Sequence, residues 1–431
     1  MVDSLLPPVT VAHWPRPPVR TRRPAAWDLL LVCVAVYVAT AVGRMHEVFP
    51  VLLVLKPALV ATVLAVGLWL LQQSGPRRAG LLRSPTTTCL VGLLLWSALS
   101  VPGALNQGEA FQHWTDLVTT VVMCLVLAGS ARNVRDVERL ALVYFGVTVV
   151  YTAVVVARFQ LGANDWRLSR LYYYDANDLA TLIVSAMPMG LYFVLQRRRL
   201  LIRLFAIAGL GLLAVGLIRS GSRGGFIALL AVAAFVLLAM TTVPARSRLA
   251  GLVVILTVAS VTASDQYWTQ MQTLLRPNED YNLTSEGGRM RIWGRGLGYM
   301  TDRPVLGVGL GNFQVAEGTI SPLARLQERG VGVRWGAAHN SFIQAGAELG
   351  VAGLLLFIGL IVTAFRSLRR VARRALQANP PAEDVSRLAQ TFMATLVGWV
   401  VGAFFLSLAF TDMLYTLVGL TLALGKVSRP T

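Results

Sequence analysis

Lysine is nearly missing from this chain: Lys56 and Lys426 are the only lysines among 39 basic residues, so the formal charge of +18 rests on arginine. Cysteine is scarce as well. Cys33, Cys89 and Cys124 all fall inside apolar runs, which excludes a disulfide framework or a C-x-x-C metal site and leaves small apolar filler as their reading. Charged residues make up only 14% of the chain against 55% hydrophobic, whereas a soluble domain has about a quarter of its residues charged. The alternating ten-residue segments of an outer-membrane barrel are absent too. What remains is an all-α polytopic membrane protein.

Apolar runs of roughly 17–25 residues, the length a helix needs to cross about 30 Å of hydrocarbon, lie near 27–43, 51–71, 87–104, 114–130, 137–157, 178–196, 200–217, 225–241, 248–264, 341–365, 388–408 and 410–425. The expectation is about 12 transmembrane helices. A Pro/Arg-rich stretch precedes the first run and no A-x-A-like site follows it, so that run reads as a retained helix behind a cytoplasmic tail, residues 1–26. Residues 27–431 then form one membrane domain with a long, partly helical exterior loop, 265–340. So basic a chain could suit a nucleic-acid partner, but its arginines are parcelled between apolar runs. Placing the N-terminus inside puts the basic groups at 16–23, 77–83, 132–139, 197–203, 246–248, 366–387 and 426–429 all on the cytoplasmic side, with both termini. The loop 366–387 offers its basic face to anionic lipid headgroups, and Asn379-Pro380-Pro381 breaks two helices.

Three loops on the opposite side break that bias. They carry Arg167 and Arg170, Arg219 and Arg223, and a series of arginines from 276 to 334. Cations held outside against the topological preference imply an anionic ligand. Ser220-Gly-Ser-Arg223-Gly-Gly opens a helix with small residues that let the backbone approach a partner; the alternative is a tight turn with a snorkelling Arg223. Arg289 and Arg291 begin a noisy amphipathic helix whose apolar residues are Met290, Ile292, Trp293, Leu297 and Met300, expected along the membrane surface. Guanidinium suits phosphate because its planar fork gives bidentate hydrogen bonds. A second short helix is expected from Ser321-Pro322 to Gly330, with Leu323 and Leu326 on its buried side.

Before the sixth run, Asp178 or Asn177 is expected to cap the helix. Asp175 with Asp178 could hold a divalent ion, but no D-x-D pair lies outside, so neither metal nor cofactor is expected. Gly307-Val-Gly-Leu-Gly311 looks like a nucleotide loop only superficially, since no βαβ unit surrounds it. His339 stands in Trp335-Gly-Ala-Ala-His339-Asn340-Ser341-Phe-Ile-Gln344, where Ser341 and Gln344 read as a capping box. His339 then lies just before the outer end of the tenth helix, whose dipole favours a neutral imidazole able to accept a proton. It is either a catalytic base or an interfacial structural histidine. Glu348 lies on the same helical face as Ser341, about 10 Å deeper. A carboxylate at that depth is functional or paired with a buried arginine or polar group.

His339-Asn-Ser-Phe followed by Glu348-Leu-Gly350 resembles the signature of the O-antigen ligase and O-antigen polymerase superfamily. So do Ser222-Arg223-Gly224, Gly288-Arg289 before Ile292-Trp293, Asp175-Ala-Asn177-Asp178-Leu-Ala, and Pro304-Val-Leu-Gly-Val-Gly-Leu-Gly-Asn-Phe313. The resemblance implies a bacterial inner-membrane glycosyltransferase of the GT-C type, taking a glycan from undecaprenyl pyrophosphate on the periplasmic face without a metal. In the ligase the acceptor is a sugar hydroxyl of lipid A–core; in the polymerase it is a second lipid-linked glycan. The single long loop and the run count resemble the ligase more. It also implies that His339 is the base and that Arg223 and Arg289, with Arg167, Arg170 and Arg291 in addition, hold the pyrophosphate. Asn340, Ser341, Glu348, Asp175, Asn177, Asp178 and Trp335 are carried as supporting residues. A transporter of lipid-linked glycan would also need outer arginines, but it should show charges along a path through the membrane.

Overall fold

The computed structural model describes residues 26–49, 51–160, 166–168, 174–196, 199–276, 285, 288–328, 330 and 335–429. Among them every regular element is helical. The longer elements are α1 (Leu29–Ala41), α2 (Pro57–Leu71), α3 (Pro85–Ser100), α4 (Gln107–Ser130), α5 (Val134–Gln160), α6 (Ala176–Leu195), α7 (Leu200–Ser220), α8 (Arg223–Ala239) and α9 (Ala245–Thr262). Shorter helices follow: α10 (Asp265–Gln272), α11 (Arg289–Asp302), α12 (Phe313–Thr319) and α13 (Ala324–Glu328). The chain closes with α14 (Ser341–Gln377), α15 (Glu383–Ala403) and α16 (Asp412–Val427). A helix stands at each expected apolar run. By length and composition five of them, α4, α5, α6, α7 and α14, can cross a membrane, while α1, α2, α3 and α8 are shorter apolar helices.

Polar residues at the helix starts explain where several helices begin. Asp28 accepts from the Leu31 amide at 3.0 Å, Ser84 from Thr87 at 3.2 Å ahead of Pro85, and Ser222 from Gly225 at 3.1 Å. Each satisfies an amide that has no partner inside its own helix. At the centre lies α6, 78% of whose apolar window is buried, against 39–56% for the other four long helices. Small residues let its neighbours close in. A Cβ on Gly225 of α8 would come within 2.6 Å of the Ala180 Cβ, and one on Gly402, in the last turn of α15, within 2.4 Å of the Thr181 hydroxyl.

One end of the bundle is tied by ion pairs. Asp28 meets Arg77 at 2.5 Å and Arg132 at 3.2 Å, while the fully buried Asp136 holds Arg132 at 2.7 Å and Arg139 at 3.0 Å. Lys426 donates to the Gly129 carbonyl at 2.8 Å, joining the ends of α16 and α4. The starts of α6, α8 and α14 lie at the opposite end, with His339.

The tenth apolar run is longer than expected and broken. Gly350 has φ 69° and ψ −171°, a region that admits glycine almost alone, so the helical ladder of α14 is interrupted there. The carbonyls this exposes are taken up. Val308 and Gly309 amides donate to Ala347 and Glu348 at 2.9 and 3.0 Å, Val351 donates to Pro304 at 2.8 Å, and the Trp96 indole donates to Leu349 at 3.0 Å. The glycine-rich 304–311 segment is thus a strap laid over a helix break. Its other edge docks beside α3 and α4, where the Leu105 amide donates to Val308 at 3.0 Å and the buried Asn312 accepts from Asn106 at 2.6 Å. The expected break at Asn379-Pro380-Pro381 separates α14 from α15.

Candidate active site

His339 precedes α14, as expected, but the cap differs. Asn340 is the N-cap, accepting from Phe342 at 2.9 Å and Ile343 at 3.1 Å, so the capping box expected of Ser341 and Gln344 does not form. Ser341 is instead the first helical residue and turns to the loop after α15, donating to the Leu406 carbonyl at 2.7 Å and accepting from Leu408 at 2.9 Å. Gln344 accepts from the Ala409 amide at 3.3 Å. Half-buried, His339 sits at φ 47°, left-handed backbone that a histidine seldom adopts, and its amide donates to the Ser407 hydroxyl at 2.8 Å. Residues 406–409 thus hold the imidazole-bearing turn in a strained shape, and such strain gathers at functional sites.

The arginines converge on the turn between α7 and α8. Gly221, at φ 57°, lets the chain reverse there, and a Cβ on it would strike Trp166. The Arg167 Nε donates to the Ser220 carbonyl at 2.9 Å, the Leu168 amide to Arg219 at 2.9 Å, and Gln270 to Gly221 at 2.7 Å. Arg223, first residue of α8, donates to the Thr273 hydroxyl at 2.8 Å. Arg170 lies outside the described residues.

Arg289, first residue of α11, lines a narrow cleft together with Asn177, Thr181, Ser222, Gly224, Gly225, Gly402, Phe405 and Leu406. Ser222 and Gly224 flank Arg223, and Leu406 is the residue to which Ser341 donates. One segment, 402–408, therefore walls the Arg289 cleft and, through Ser407, fixes His339. Arg291 is exposed and does not line the cleft.

The carboxylates at this end bind backbone. Asp175, not Asn177 or Asp178, caps α6: it accepts from Asn177 at 2.7 Å and Asp178 at 2.8 Å, and Asp178 accepts from Asp175 at 3.2 Å. The D-x-x-D spacing makes this a capping box, which the choice between Asn177 and Asp178 overlooked. Glu348, 2% exposed, accepts from the Gly311 amide at 2.7 Å and from Gln344 at 3.4 Å. Its partner is the strap, and no arginine is paired with it among the described residues. Trp335 lies over Gly318, where a Cβ would meet the indole at 2.0 Å, and its indole donates to Gln327 at 3.4 Å.

The short helices between α9 and α14 pack on this end. The five apolar positions of α11 do not share one face. Ile292 is buried with Gly296 and Tyr299 against α14, Trp293 meets the Phe404 ring edge-on at 5.5 Å, and Met290 and Leu297 are exposed. Beside it Arg295 grips the buried Glu317 at 2.5 and 2.8 Å, and the Tyr299 hydroxyl donates to the same carboxylate at 2.7 Å. Burial, then the neighbouring Glu317 carboxylate, pushes the Tyr299 phenol well above its ordinary range. The next short helix comes out near expectation. Ser321 accepts from Ala324 at 3.2 Å, Leu323 and Leu326 are half-buried, and Gly330 has φ 75°.

Arginines, the amide end of α8 and an imidazole on a shared scaffold can bind an anion next to a proton acceptor. Residues 208–358 match the family model described as O-antigen ligase, Wzy_C. This match supports the O-antigen ligase and polymerase superfamily, and with it a glycosyl-transfer enzyme in general terms. Among curated proteins nothing matches the chain. The O-antigen ligase match takes in Arg223, Arg289, His339 and Glu348, while Asn177, Thr181, Gly402 and Ser407 lie outside it. Among the described residues no three His, Cys, Asp or Glu side chains gather to hold a metal ion.

Proposed function

We propose that this chain moves an O-antigen glycan from undecaprenyl pyrophosphate to a sugar hydroxyl of lipid A–core, at the periplasmic face of a bacterial inner membrane. In this reading the His339 end is periplasmic and the Asp28 end, with its arginines, is cytoplasmic, as the positive-inside bias asks. Residues 1–26 are the cytoplasmic tail, 27–431 the GT-C-type membrane domain, and 265–340 the periplasmic loop, with about 12 helices crossing the bilayer.

The acceptor hydroxyl oxygen attacks the anomeric carbon as the bond to the pyrophosphate oxygen breaks. His339 takes the hydroxyl proton, a contribution of about 10²–10⁴ in rate. The negative charge left on pyrophosphate is stabilised by Arg223 and Arg289, aided by Arg167, Arg170 and Arg291, in a site partly shielded from water. Direct displacement with one base inverts the anomeric centre, and cleaving the glycosyl–pyrophosphate bond supplies the drive without nucleotide or metal.

The observation that carries this reading is the shared 402–408 segment, which walls the Arg289 cleft and fixes the His339 turn. The test is transfer in reconstituted membranes, with lipid-linked glycan as donor and purified lipid A–core as acceptor, nucleotide omitted. Product on lipid A–core supports the ligase. The family match also supports a polymerase, and product on a second lipid-linked glycan would select it. Absence of both products would sink the proposal.

A further inference from the structure

Thr181 lies one turn into α6, 1% exposed, and its hydroxyl finds no hydrogen-bond partner among the described residues. A helical threonine ordinarily returns its hydroxyl to a carbonyl of the preceding turn, as Thr148 does to Tyr144 and Thr421 to Leu417, both at 2.9 Å. Thr152, Ser185, Thr391 and Thr395 are also unpartnered, but among these Thr181 is the one that lines the Arg289 cleft. The room for its hydroxyl exists only because residue 402 is glycine: a Cβ there would sit 2.4 Å from the Thr181 oxygen. A buried hydroxyl left unpaired costs free energy unless something entering the cleft bonds it.

The other groups around it narrow the chemistry. Arg289 brings a guanidinium, and Gly224 is the second residue of α8, a 17-residue helix whose first amides point out of its N-terminus, the Gly225 amide being taken by Ser222. No carboxylate is among the lining residues. Hydrogen-bond donors without an opposing acid suit an oxyanion better than a sugar, whose hydroxyls need acceptors as well.

We propose that this cleft is a phosphoryl-oxygen subsite, in which the Thr181 hydroxyl and the Gly224 amide at the start of α8 bind an oxygen of the diphosphate donor beside Arg289. Gly402 leaves room for the Thr181 side chain beside it. The proposal rests on the glycosyl-transfer reading above and adds to it a binding residue, Thr181, and a spacer, Gly402, both outside the O-antigen ligase match.

The experiment measures donor KM, kcat and inhibition by inorganic pyrophosphate for the full-length protein in lipid nanodiscs, comparing wild type with Thr181→Val, Thr181→Ser, Gly402→Ala and Arg289→Ala. Thr181→Val should raise donor KM and weaken pyrophosphate inhibition by about tenfold, the worth of a hydrogen bond to a charged group. Thr181→Ser should restore both to within about twofold, and Gly402→Ala should behave like Thr181→Val. Because Thr181→Val deletes an orphan hydroxyl, its melting temperature should match or exceed that of wild type. A lower melting temperature with wild-type KM would mean a structural threonine and overturn the subsite. Wild-type KM and pyrophosphate inhibition in Thr181→Val, alongside an impaired Arg289→Ala, would overturn the subsite and leave the transfer reading intact. Normal turnover in both Arg289→Ala and His339→Ala would instead remove the transfer reading. If phosphatidylglycerol competes with the donor in wild type but not in Thr181→Val, a phospholipid headgroup is the occupant, and the donor assignment falls.

Discussion

The two ends of the helix bundle treat charge in opposite ways. At the Asp28 end carboxylates are matched to guanidinium groups: Asp28 to Arg77 and Arg132, and the buried Asp136 to Arg132 and Arg139. At the His339 end Asp175, Asp178 and Glu348 hold backbone amides. Among the described residues Arg295 also pairs with Glu317 there, as a pin between α11 and α12. A charge neutralised inside the protein has structural work. A carboxylate committed to amides caps a helix or holds the strap instead. The first end explains how the bundle is held, and the second what it can hold.

Breaking that contrast has its largest effect at the imidazole. His339→Ala should lower transfer by about 10²–10⁴ while donor binding, measured with pyrophosphate as competitor, stays near wild type. Unchanged transfer would remove the base assignment. Next come the arginines, compared across the ends. Arg223→Ala or Arg289→Ala should cost about 10²–10³ in turnover with weaker donor binding, out of proportion to any fall in melting temperature. Arg77→Ala should do the reverse. It leaves Asp28 and the Ser130 carbonyl short of a donor, worth about 2–3 kcal/mol after allowing for the partial exposure of Asp28, yet the protein that stays folded should turn over normally. If Arg77→Ala lowers turnover as much as Arg289→Ala, the division between the ends fails.

Much of this contrast was legible in the chain itself, because local chemistry writes local structure. Apolar runs marked the helices, Ser222 and its following glycines marked the start of α8, and the placing of His339 before α14 followed from the polar step into an apolar run. Adjacent polar residues compete for one cap, and there the reading slipped, to Ser341 in place of Asn340 and to Asn177 or Asp178 in place of Asp175. Long-range pairings left no local trace. Arg295 and Glu317 are 22 residues apart, and Ser407 meets His339 across 68. The strap could have been seen. Gly307, Gly309 and Gly311 recur at every second residue and all take positive φ, a sign of backbone pressed against backbone, once the nucleotide-loop likeness is set aside.

That strap supplies a smaller effect, on stability. Gly350→Ala would need positive φ and would push a methyl to 2.4 Å from the Val305 carbonyl. A loss of about 1–3 kcal/mol is expected, read as a lower melting temperature. Transfer should fall only as folded protein is lost, since Gly350 is not among the residues of the cleft. A large drop in kcat at full stability would tie the break to the chemistry itself.

The smallest expected effect is none at all, from exhaustive chelation. A divalent ion at this end would need carboxylate oxygens, and the Asp175–Asp178 pair is the only candidate the sequence suggested. One Asp175 oxygen already accepts two amides, and an Asp178 oxygen accepts a third, so recruiting them to a metal would uncap α6. Losing a cap costs roughly 1 kcal/mol. EDTA-treated membranes should therefore transfer glycan at the untreated rate. A loss that Mg²⁺ or Mn²⁺ restores would show that these aspartates leave their amides during the reaction. The contrast between the two ends would then rest on a resting state the enzyme abandons to work.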